Sequence, residues 1–392
     1  MRDPSQSLAA AKLPGPPRYG SASLADVAPA LLDALGIPGA NPFGFEPTRQ
    51  ACLLLIDGLG FELLTRHRRV APFLASTCRV PIDAPYPTTT VASLASITTG
   101  RPPGEHGLLG PTVALPDSDR PMNVLKWRLH GTGPDLDLTE VISPERFQPM
   151  PTVLERASAA GLDPITVGPG EHERSALSRA VLRGSSYVSV SSLAELVDAS
   201  SRTVLSGRRF VYAYHGGLDQ IGHRDGVRSE RWREELAGID VAVAALVERL
   251  PAETLLVVIG DHGMVDIDAE GIVDVAHEPA LLDGVRLLAG EPRLRHVHAR
   301  NGAEQDVLDA WRERLGGRAW ILTREQALEE GWFGPTVFES ARARIGDIVV
   351  AAHLGLAILQ SDLDPHQAAL VGHHGSITDA ERLVPLVVVN PA

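Results

Sequence analysis

An α/β fold with a doubly wound, mostly parallel sheet is predicted by two features of the sequence. First, short continuous apolar runs recur along the 392 residues, and such runs are typical of strands covered by helices on both faces. Second, helical patterns lie between the runs, which gives the alternation of strand and helix expected for such a sheet. With 44% hydrophobic residues, the chain can bury one large core that carries insertions.

Three predicted strands lead into an aspartate, which marks them as candidates for chemistry. The runs and the aspartates that follow them are 51–56 with Asp57, 209–214 with Asp219 and 255–259 with Asp261. Open parallel sheets bind their ligands outside the carboxyl ends of the strands, where these aspartates would lie. Further strands are predicted at 165–167, 319–322, 347–352 and 383–389.

The remaining segments are predicted as helices, an N-terminal arm and two insertions. Helices are expected at 24–35, 151–160, 229–250, 303–315 and 324–330. Residues 1–48 are rich in Pro and Gly and are interpreted as a partly mobile arm packed on a main domain of residues 49–392. Two stretches that fit the alternation poorly are predicted as insertions over the site, at about 108–148 and 266–346.

Bulk composition argues against several classes of protein. The formal net charge of −13 disfavours binding to a nucleic-acid polymer, because such proteins usually cluster Lys and Arg against the phosphates. Cys52 and Cys78 are the two cysteines, too few for a disulfide framework or a Cys-rich metal cluster. Neither a secretory leader nor a run of about eighteen apolar residues is evident, so a cytoplasmic protein that does not bind membranes is expected.

The sequence Asp57-Gly58-Leu59-Gly60 allows three interpretations. Glycines after a strand suggest dinucleotide binding, but Leu63 stands where the third glycine of that fingerprint belongs. Asp57 could instead bind a metal ion while the glycines let the backbone turn tightly beneath it. Taken alone, a role as a helix N-cap remains open.

Three consecutive threonines, Thr88 to Thr90, precede a predicted helix. Thr90 would then lie near a helix N-terminus, where backbone amides favour anions. A hydroxyl bound to a dication loses its proton more easily than in water, which would make Thr90 a nucleophile. The alternative for these threonines is N-capping.

Two further motifs pair an aspartate with a histidine. Asp219 and His223 are four residues apart, a spacing that places both on one face of a helical turn, either as metal ligands or as a salt bridge. Asp261 and His262 directly end an apolar run, and adjacent side chains that leave a strand in a turn can reach the same ion. The second motif is the stronger signal for metal binding.

Gly372-His373-His374-Gly375 supplies the last candidate ligand, with either histidine able to bind. Together the motifs offer three aspartates, three or four histidines and one hydroxyl. Imidazole and carboxylate groups in this combination suit two borderline-soft divalent cations. The sequence therefore predicts a two-metal hydrolase.

The ordered motifs resemble the type I phosphodiesterase / nucleotide pyrophosphatase family of the alkaline phosphatase superfamily. The resemblance spans about residues 51–389 and is carried by Asp57-Gly58, Pro87 to Thr90, Glu105-His106-Gly107, Asp219 to His223, Asp261 to Met264 and His374-Gly375. It implies an alkaline phosphatase-like core that holds two divalent metal ions, zinc or alternatively manganese. One ion would be held by Asp219, His223 and His374, and the other by Asp57, Asp261, His262 and the Thr90 oxygen.

The resemblance also implies an activity on a small-molecule phosphate ester. Thr90 would attack phosphorus in a phosphodiester or pyrophosphate and form a phospho-threonine intermediate. Water would then hydrolyse this intermediate and release the product. Two positions depart from the family pattern. Val91 stands where nucleotide-cleaving relatives usually carry an aromatic residue, and Ser93 stands where an asparagine usually donates to a phosphoryl oxygen.

Two alternative functions use the same residues. The first is a phosphomonoesterase or phosphonate hydrolase, and the second is a metal-stabilised binding protein without turnover. A sulfatase is disfavoured, since no Cys or Ser stands in the Cys/Ser-x-Pro-x-Arg context needed to make a formylglycine. The sequence leaves the oligomeric state open.

Overall fold

The computed structural model describes residues 12–205 and 209–390. Its strands, in chain order, are β1 Gln50–Ile56, β2 Cys78–Asp83, β3 Thr112–Val113, β4 Met122–Asn123, β5 Arg128–Leu129, β6 Asp163–Pro169, β7 Ser186–Val190, β8 Arg209–His215, β9 Thr254–Gly260, β10 Val265–Asp266, β11 Ile272–Asp274, β12 Val285–Glu291, β13 Leu294–Ala299, β14 Ala319–Thr323, β15 Ile348–Ala352, β16 Ala357–Leu359, β17 Gly372–His373 and β18 Leu383–Val389.

The α-helices of the described residues range from one turn to twenty residues. They are α1 Leu24–Ala34, α2 Phe61–Arg66, α3 Pro72–Thr77, α4 Thr90–Thr99, α5 Pro103–His106, α6 Pro144–Phe147, α7 Val153–Ala159, α8 Ala176–Val181, α9 Leu193–Val204, α10 Gly217–Asp225, α11 Glu230–Arg249, α12 Glu304–Leu315, α13 Arg324–Glu329, α14 Glu339–Arg342 and α15 Asp379–Arg382. None of these helices has the length and apolar composition needed to cross a membrane.

A central sheet of seven strands runs in the order β2-β18-β9-β1-β8-β6-β7. The five strands from β9 to β7 are parallel, while β18 is antiparallel to both of its neighbours. Successive side chains of β1 enter two different cores, with Leu53 and Leu55 in one and Cys52 and Leu54 in the other. This alternation confirms the doubly wound, mostly parallel sheet, because both faces of its central strand are covered.

Two strands of this sheet, β2 and β7, were not predicted. Both lie at its edges, and their side chains are largely exposed or half-buried. An edge strand needs fewer apolar residues than a central one, so its sequence lacks the continuous run that marks β1, β8 and β9. All the strands and helices that were predicted are present, with bounds that differ by at most two residues.

From residue 12 onward, the predicted N-terminal arm packs on the rest of the molecule. Leu24 and Leu31 of α1 are fully buried in the larger core, and Asp26 closes a capping box with Ser23. Arg18 donates to both carboxylate oxygens of Asp83 at the end of β2. Residues 1–11 of the predicted arm lie outside the described residues.

Both predicted insertions contain small sheets of their own. The first carries β3, β4 and β5 as a three-stranded antiparallel sheet. The second carries β12, β13 and β14, which join β15 in an antiparallel sheet of four strands with a third core beneath it. The division into a main domain and insertions remains a prediction, and β15 shows that the second sheet extends beyond residue 346.

Candidate active site

The three predicted aspartates meet at one edge of the central sheet. Asp57 follows β1, Asp261 follows β9, and Asp219 lies in the first turn of α10, just after β8. Because β9, β1 and β8 are adjacent parallel strands, their carboxyl ends bring the three side chains together. All three carboxylates are largely or completely buried.

Each of these carboxylates presents one buried oxygen without a hydrogen-bond partner among the described residues. These oxygens are Asp57 Oδ1, Asp219 Oδ1 and Asp261 Oδ2. The second oxygen of Asp57 accepts a hydrogen bond of 2.5 Å from the Tyr214 hydroxyl. That of Asp261 accepts from the Gly58 and His262 amides, both at 2.9 Å. Burying an unpaired carboxylate oxygen is costly unless a cation meets it, so these three atoms fit a metal centre.

Three histidines face the carboxylates through the same ring nitrogen. Nδ1 donates to a backbone carbonyl in each ring: His223 to Gly372 at 2.8 Å, His262 to Gly263 at 3.1 Å and His374 to Thr88 at 3.0 Å. A carbonyl only accepts, so the proton of each neutral ring lies on Nδ1. The lone pair of Nε2 is therefore free to bind a metal ion.

The ligand atoms form two groups that share His262. Its Nε2 lies 3.3 Å from Asp261 Oδ2, 3.6 Å from Asp57 Oδ1 and 3.2 Å from Thr90 Oγ1. Ligand atoms of Asp57, Asp261 and His262 lie within 4.8 Å of one another, as do those of Asp219, His262 and His374. The first group matches the set that the resemblance implies, whereas the second contains His262 where the resemblance implies His223.

His223 nevertheless lies beside the second group. Its Nε2 is 3.5 Å from Asp219 Oδ2 and 3.2 Å from His374 Nε2. With the protons of both rings on Nδ1, these two nitrogens face each other with lone pairs, an arrangement that a cation between them would stabilise. All seven predicted ligands therefore lie in one cluster.

Burial dominates the pKa shifts in this cluster. It is the largest cause that raises the pKa of Asp219 and of Asp261 to about 7, and a neighbouring carboxylate contributes in each case. The pKa of Asp57 is raised well above its usual value, first by burial and then by Asp261. Burial lowers the pKa of His262 to about 4 and that of His374 well below its usual value. The imidazoles are thus neutral and able to bind, while the carboxylates lack a compensating positive charge.

The three threonines have three different environments. Thr88 is buried and donates to the Ser376 carbonyl at 2.6 Å, next to the His374 loop. Thr89 is the N-cap of α4 and accepts from the Ala92 amide. Thr90 is the first residue of α4 and is partly exposed, with its hydroxyl directed at His262. N-capping, the alternative left open by the sequence, is therefore the role of Thr89, and Thr90 is available as a nucleophile.

Ser93, which was predicted to donate to a phosphoryl oxygen, forms a hydrogen bond within the protein. It is fully buried, and its hydroxyl donates to the Asp261 carbonyl at 2.7 Å. The side chain is one turn along α4 from the helix N-terminus, where it holds the end of β9 instead of facing the cleft. Donation from Ser93 to a phosphoryl oxygen remains a prediction.

Sequence reasoning missed two residues of the site. Tyr214 lies inside the apolar run of β8, where a tyrosine is expected to serve packing, yet its hydroxyl holds Asp57. Glu291 ends β12 in the second insertion, with Oε2 3.6 Å from His374 Nδ1. No local motif marks Glu291, because it reaches the site only through the fold of the insertion.

The cluster lies at the floor of a cleft with two lobes, both of which contact Thr90, Leu125 and Asp219. The polar lobe, of about 340 Å³, also contacts His223, His374 and Glu291 and extends to His130, Asp364 and Gln367. The tyrosine lobe, of about 300 Å³, has walls of tyrosines and aliphatic residues: Tyr187, Tyr212, Tyr214, Leu177, Val181 and Leu182. Trp127 is not part of either wall; it is buried and donates to the Ile142 carbonyl.

A hydroxyl at a helix N-terminus, beside clustered carboxylates and imidazoles on a doubly wound sheet, is an arrangement typical of phosphoryl-transfer hydrolases. The model of the type I phosphodiesterase / nucleotide pyrophosphatase family matches residues 51–377. The chain belongs to this family.

Solved structures with the same fold include two phosphorus-ester or phosphonate hydrolases. Murine ectonucleotide pyrophosphatase / phosphodiesterase 5 is similar with a TM-score of 0.65 and 17% identity, covering 87% of this chain and 88% of that one. Phosphonoacetate hydrolase from Sinorhizobium meliloti 1021, in complex with phosphonoformate, is similar with a TM-score of 0.63 and 16% identity, covering 87% and 90%. At these identities, the likeness shows the shared fold.

A short segment also resembles a much larger curated protein. The catalytic subunit of the Homo sapiens GPI ethanolamine phosphate transferase 3 is 44% identical over 52 residues, which is 13% of this chain. The match covers 5% of the length of that relative.

Proposed function

We propose that the protein is a two-metal hydrolase that cleaves phosphodiester or pyrophosphate bonds through a covalent phospho-threonine. The observation that carries this proposal is the position of Thr90 Oγ1, 3.2 Å from His262 Nε2, beside three carboxylates with unpaired buried oxygens. The site combines a nucleophile with ligands for two dications, and family membership supports hydrolysis of this kind of bond.

The ligand types favour zinc, with manganese as the alternative. Imidazole nitrogens and carboxylate oxygens together suit borderline-soft ions, and the described cluster contains no thiolate. Asp57, Asp261, His262 and Thr90 would hold one ion, and Asp219, His223 and His374 would hold the other, with His262 close to both. Bound ions would neutralise the phosphoryl oxygens, favour ionisation of the Thr90 hydroxyl and stabilise the departing oxygen.

The residues of the chain then account for the two steps. In the first, Thr90 Oγ1 loses its proton and forms a bond to phosphorus, while the bond from phosphorus to the departing oxygen breaks and that oxygen takes up a proton. In the second, water attacks phosphorus and returns the Thr90 hydroxyl. The N-terminus of α4 orients the phosphoryl group, since backbone amides there favour anions.

In this proposal, the organic group that stays on phosphorus binds in the tyrosine lobe. This lobe lies on the Asp57 side of Thr90 and offers tyrosine rings and aliphatic side chains. Aromatic and apolar surfaces of this kind bind uncharged organic groups by burial and stacking. Val91 leaves α4 without the aromatic residue that nucleotide-cleaving relatives usually carry, so a nucleoside is not required by this geometry.

A phosphonate hydrolase is the second candidate, favoured by the similarity to the phosphonoacetate hydrolase fold over most of both chains. It would use the same ions and cleave carbon–phosphorus instead of oxygen–phosphorus bonds. A metal-stabilised binding protein without turnover is the third possibility. The two enzymatic candidates differ in the substrate that they consume, and the binding protein consumes none.

The test is a comparison of bis-p-nitrophenyl phosphate, p-nitrophenyl phosphate and phosphonoacetate with and without a chelator. We expect diester cleavage that requires metal and falls at least about a thousandfold in Thr90→Ala. Thr98→Ala is the matched control, because Thr98 lies on the same helix and donates to the Leu94 carbonyl away from the cluster. Cleavage of phosphonoacetate alone would select the second candidate, and bound metal without any turnover would select the third.

A further inference from the structure

We propose that the polar lobe binds the departing alcohol of the substrate and selects an alcohol that carries an ammonium group over one that carries an anion. This inference rests on the proposed function, since it concerns the second ester bond of the same phosphodiester.

The position of the departing group follows from the two ligand groups. An in-line displacement places the departing oxygen opposite Thr90, next to the ion that Thr90 does not hold. That ion would be held by Asp219, His223 and His374, and all three of these residues line the polar lobe. The tyrosine lobe contacts Asp57 as well as Asp219 but neither His223 nor His374, so it would lie on the side of the other ion.

Glu291 gives the polar lobe an acceptor that no described residue satisfies. The residue is 7% exposed, and its Oε1 is buried without a hydrogen-bond partner in the described parts of the chain. Its Oε2 is 3.6 Å from His374 Nδ1, but that nitrogen donates to the Thr88 carbonyl. A side chain at Gly375 would strike Glu291, since a Cβ there would lie 2.7 Å from Oε1. Glycine at position 375 therefore leaves the space that the Glu291 carboxylate occupies beside the cleft.

Asp364 is the second carboxylate on the wall of this lobe. Its Oδ2 lies 3.7 Å from His130 Nε2. Burial lowers the pKa of His130, so that ring carries no positive charge near neutral pH. The two carboxylates of the wall therefore have no cationic partner within the lobe.

Arginine and lysine are absent from the described residues that line either lobe. Arg295 lies near the wall, but it is 4% exposed and donates to the Ile358 carbonyl and to Gln367 Oε1. Arg293 is equally buried and forms a bidentate pair with Glu381. Neither guanidinium is available to a ligand in the cleft.

These charges decide between classes of departing group. An ammonium group would donate to Glu291 and Asp364 and satisfy the buried acceptor. A carboxylate or a second phosphate would instead meet the Asp364 carboxylate beside the buried Glu291 acceptor, and like charges in contact repel each other. The polar lobe therefore fits an amino alcohol better than pyrophosphate.

Arg120 and Lys126 are two cations near the polar lobe, but Arg120 donates to the carbonyls of Leu129, His130 and Gly131, which leaves Lys126 as the one of the two that could oppose this selection. Lys126 is exposed and follows Leu125, which contacts both lobes. If Lys126 contacts the substrate, the enzyme should prefer a departing alcohol that carries an anion, and this preference should disappear in Lys126→Ala.

The experiment compares three diesters that share a benzyl group and differ in the end of the second alcohol. These are benzyl 3-aminopropyl, benzyl 3-hydroxypropyl and benzyl 3-carboxypropyl phosphate, with the released alcohol and benzyl phosphate measured by chromatography. For the metal-loaded enzyme we expect kcat/KM to decrease in that order, with at least about a tenfold difference between the first and the last. In Thr90→Ala, which binds without turnover, the dissociation constants should follow the same order.

The variant Asp364→Lys tests whether the charge on the wall of the polar lobe determines the preference. We expect it to reduce the preference for the aminopropyl diester by about tenfold or more, because the charge that meets the ammonium is reversed. Glu270→Lys is the matched control: it makes the same change in net charge at an exposed residue outside the cleft, and the preference should not change. Glu291→Gln should also reduce the preference while the metal content remains that of the wild type.

The outcomes separate this inference from the proposed function. Failure to cleave any of the three diesters overturns the proposed function and the inference together. Cleavage of all three without preference, or with preference for the carboxypropyl diester, overturns the inference alone.

Discussion

Whether the role of a single residue could be recognised from the sequence depends on where its hydrogen-bond partner lies in the chain. Asp57 and Asp261 were predictable because each follows an apolar strand, and a carboxylate at a strand end has few structural uses. The role of Ser93 remains a prediction, and its spacing from Thr90 could not reveal that its hydroxyl lies 2.7 Å from the Asp261 carbonyl oxygen. Tyr214 was missed because its partner, Asp57, is 157 residues away in the chain.

Tyr214 should tune the affinity for metal. Removing its hydroxyl in Tyr214→Phe frees Asp57 Oδ2 to turn, so we expect metal affinity to fall by about tenfold or more, as measured by isothermal titration calorimetry. Tyr212→Phe is the matched control, because the Tyr212 hydroxyl has no hydrogen-bond partner in the described residues. Equal affinities for the two variants would show that the contact with Asp57 does not support the ion.

His298 should make the protein sensitive to acid. Burial, with Arg286 and Arg324 nearby, lowers its pKa to about 3, below the value of about 6.5 in the unfolded chain. Between these values the unfolded chain binds more protons, so this residue lowers the free energy of unfolding as the pH falls through 6.5.

His298→Leu should remove this dependence. Relative to the wild type, its free energy of unfolding in urea should improve by up to about 1.4 kcal/mol per pH unit below 6.5. His277→Leu provides the control, since the His277 side chain is 80% exposed. Parallel curves for His298→Leu and the wild type from pH 7.5 to 5 would contradict the assignment.

Strands and helices differ in how much of their placement the sequence reveals. The central strands β1, β8 and β9 are covered on both faces, so their continuous apolar runs identified them. The sheet of the second insertion is antiparallel and joins β13 to β15 across about fifty residues. Such pairing leaves no local periodic signal, so the strands at 319–322 and 347–352 were predicted from the sequence but their pairing in this sheet was not.

A buried ion pair connects the second insertion to the loop that carries His374. Arg293, in the turn after β12, donates to both oxygens of Glu381 at 2.9 and 2.7 Å. Glu381 also accepts from the Ser376 amide, two residues after His374, at 3.0 Å. Both partners are at most 2% exposed.

Glu381→Gln should therefore destabilise the protein by about 3–5 kcal/mol, since it leaves a buried guanidinium unpaired. We also expect it to weaken metal binding, because the His374 loop loses its anchor. Glu253→Gln breaks the exposed pair with Arg49 and should cost less than about 1 kcal/mol. Urea unfolding of the two variants compares these costs, and similar values would contradict the anchoring role.

At the scale of the whole molecule, the order of the motifs along the chain predicted that they would meet in one site. The seven predicted ligands, spread from Asp57 to His374, meet because the strands β9, β1 and β8 are neighbours and the loop that carries His374 returns beside them. The contribution of the insertions to the cleft could not be predicted, because Glu291 and Leu125 reach it through tertiary packing. The cytoplasmic location remains a prediction.

Metal ions should stabilise the whole domain. A site in which three carboxylates each keep one unpaired buried oxygen should bind dications in the folded state only. Such binding would raise the free energy of unfolding by about 4 kcal/mol when the free ion is at a thousand times its dissociation constant. A chelator should therefore lower the melting temperature measured by calorimetry. The shift should be much smaller in Asp57→Asn, and an equal shift in that variant would place the ions elsewhere.

The most direct test is a crystal structure of the zinc-loaded protein with anomalous scattering measured on both sides of the zinc absorption edge. We expect two anomalous peaks about 4 Å apart, one beside Asp57, Asp261 and Thr90 and the other beside Asp219, His223 and His374. A single peak, or peaks away from Thr90, would contradict the two-metal site.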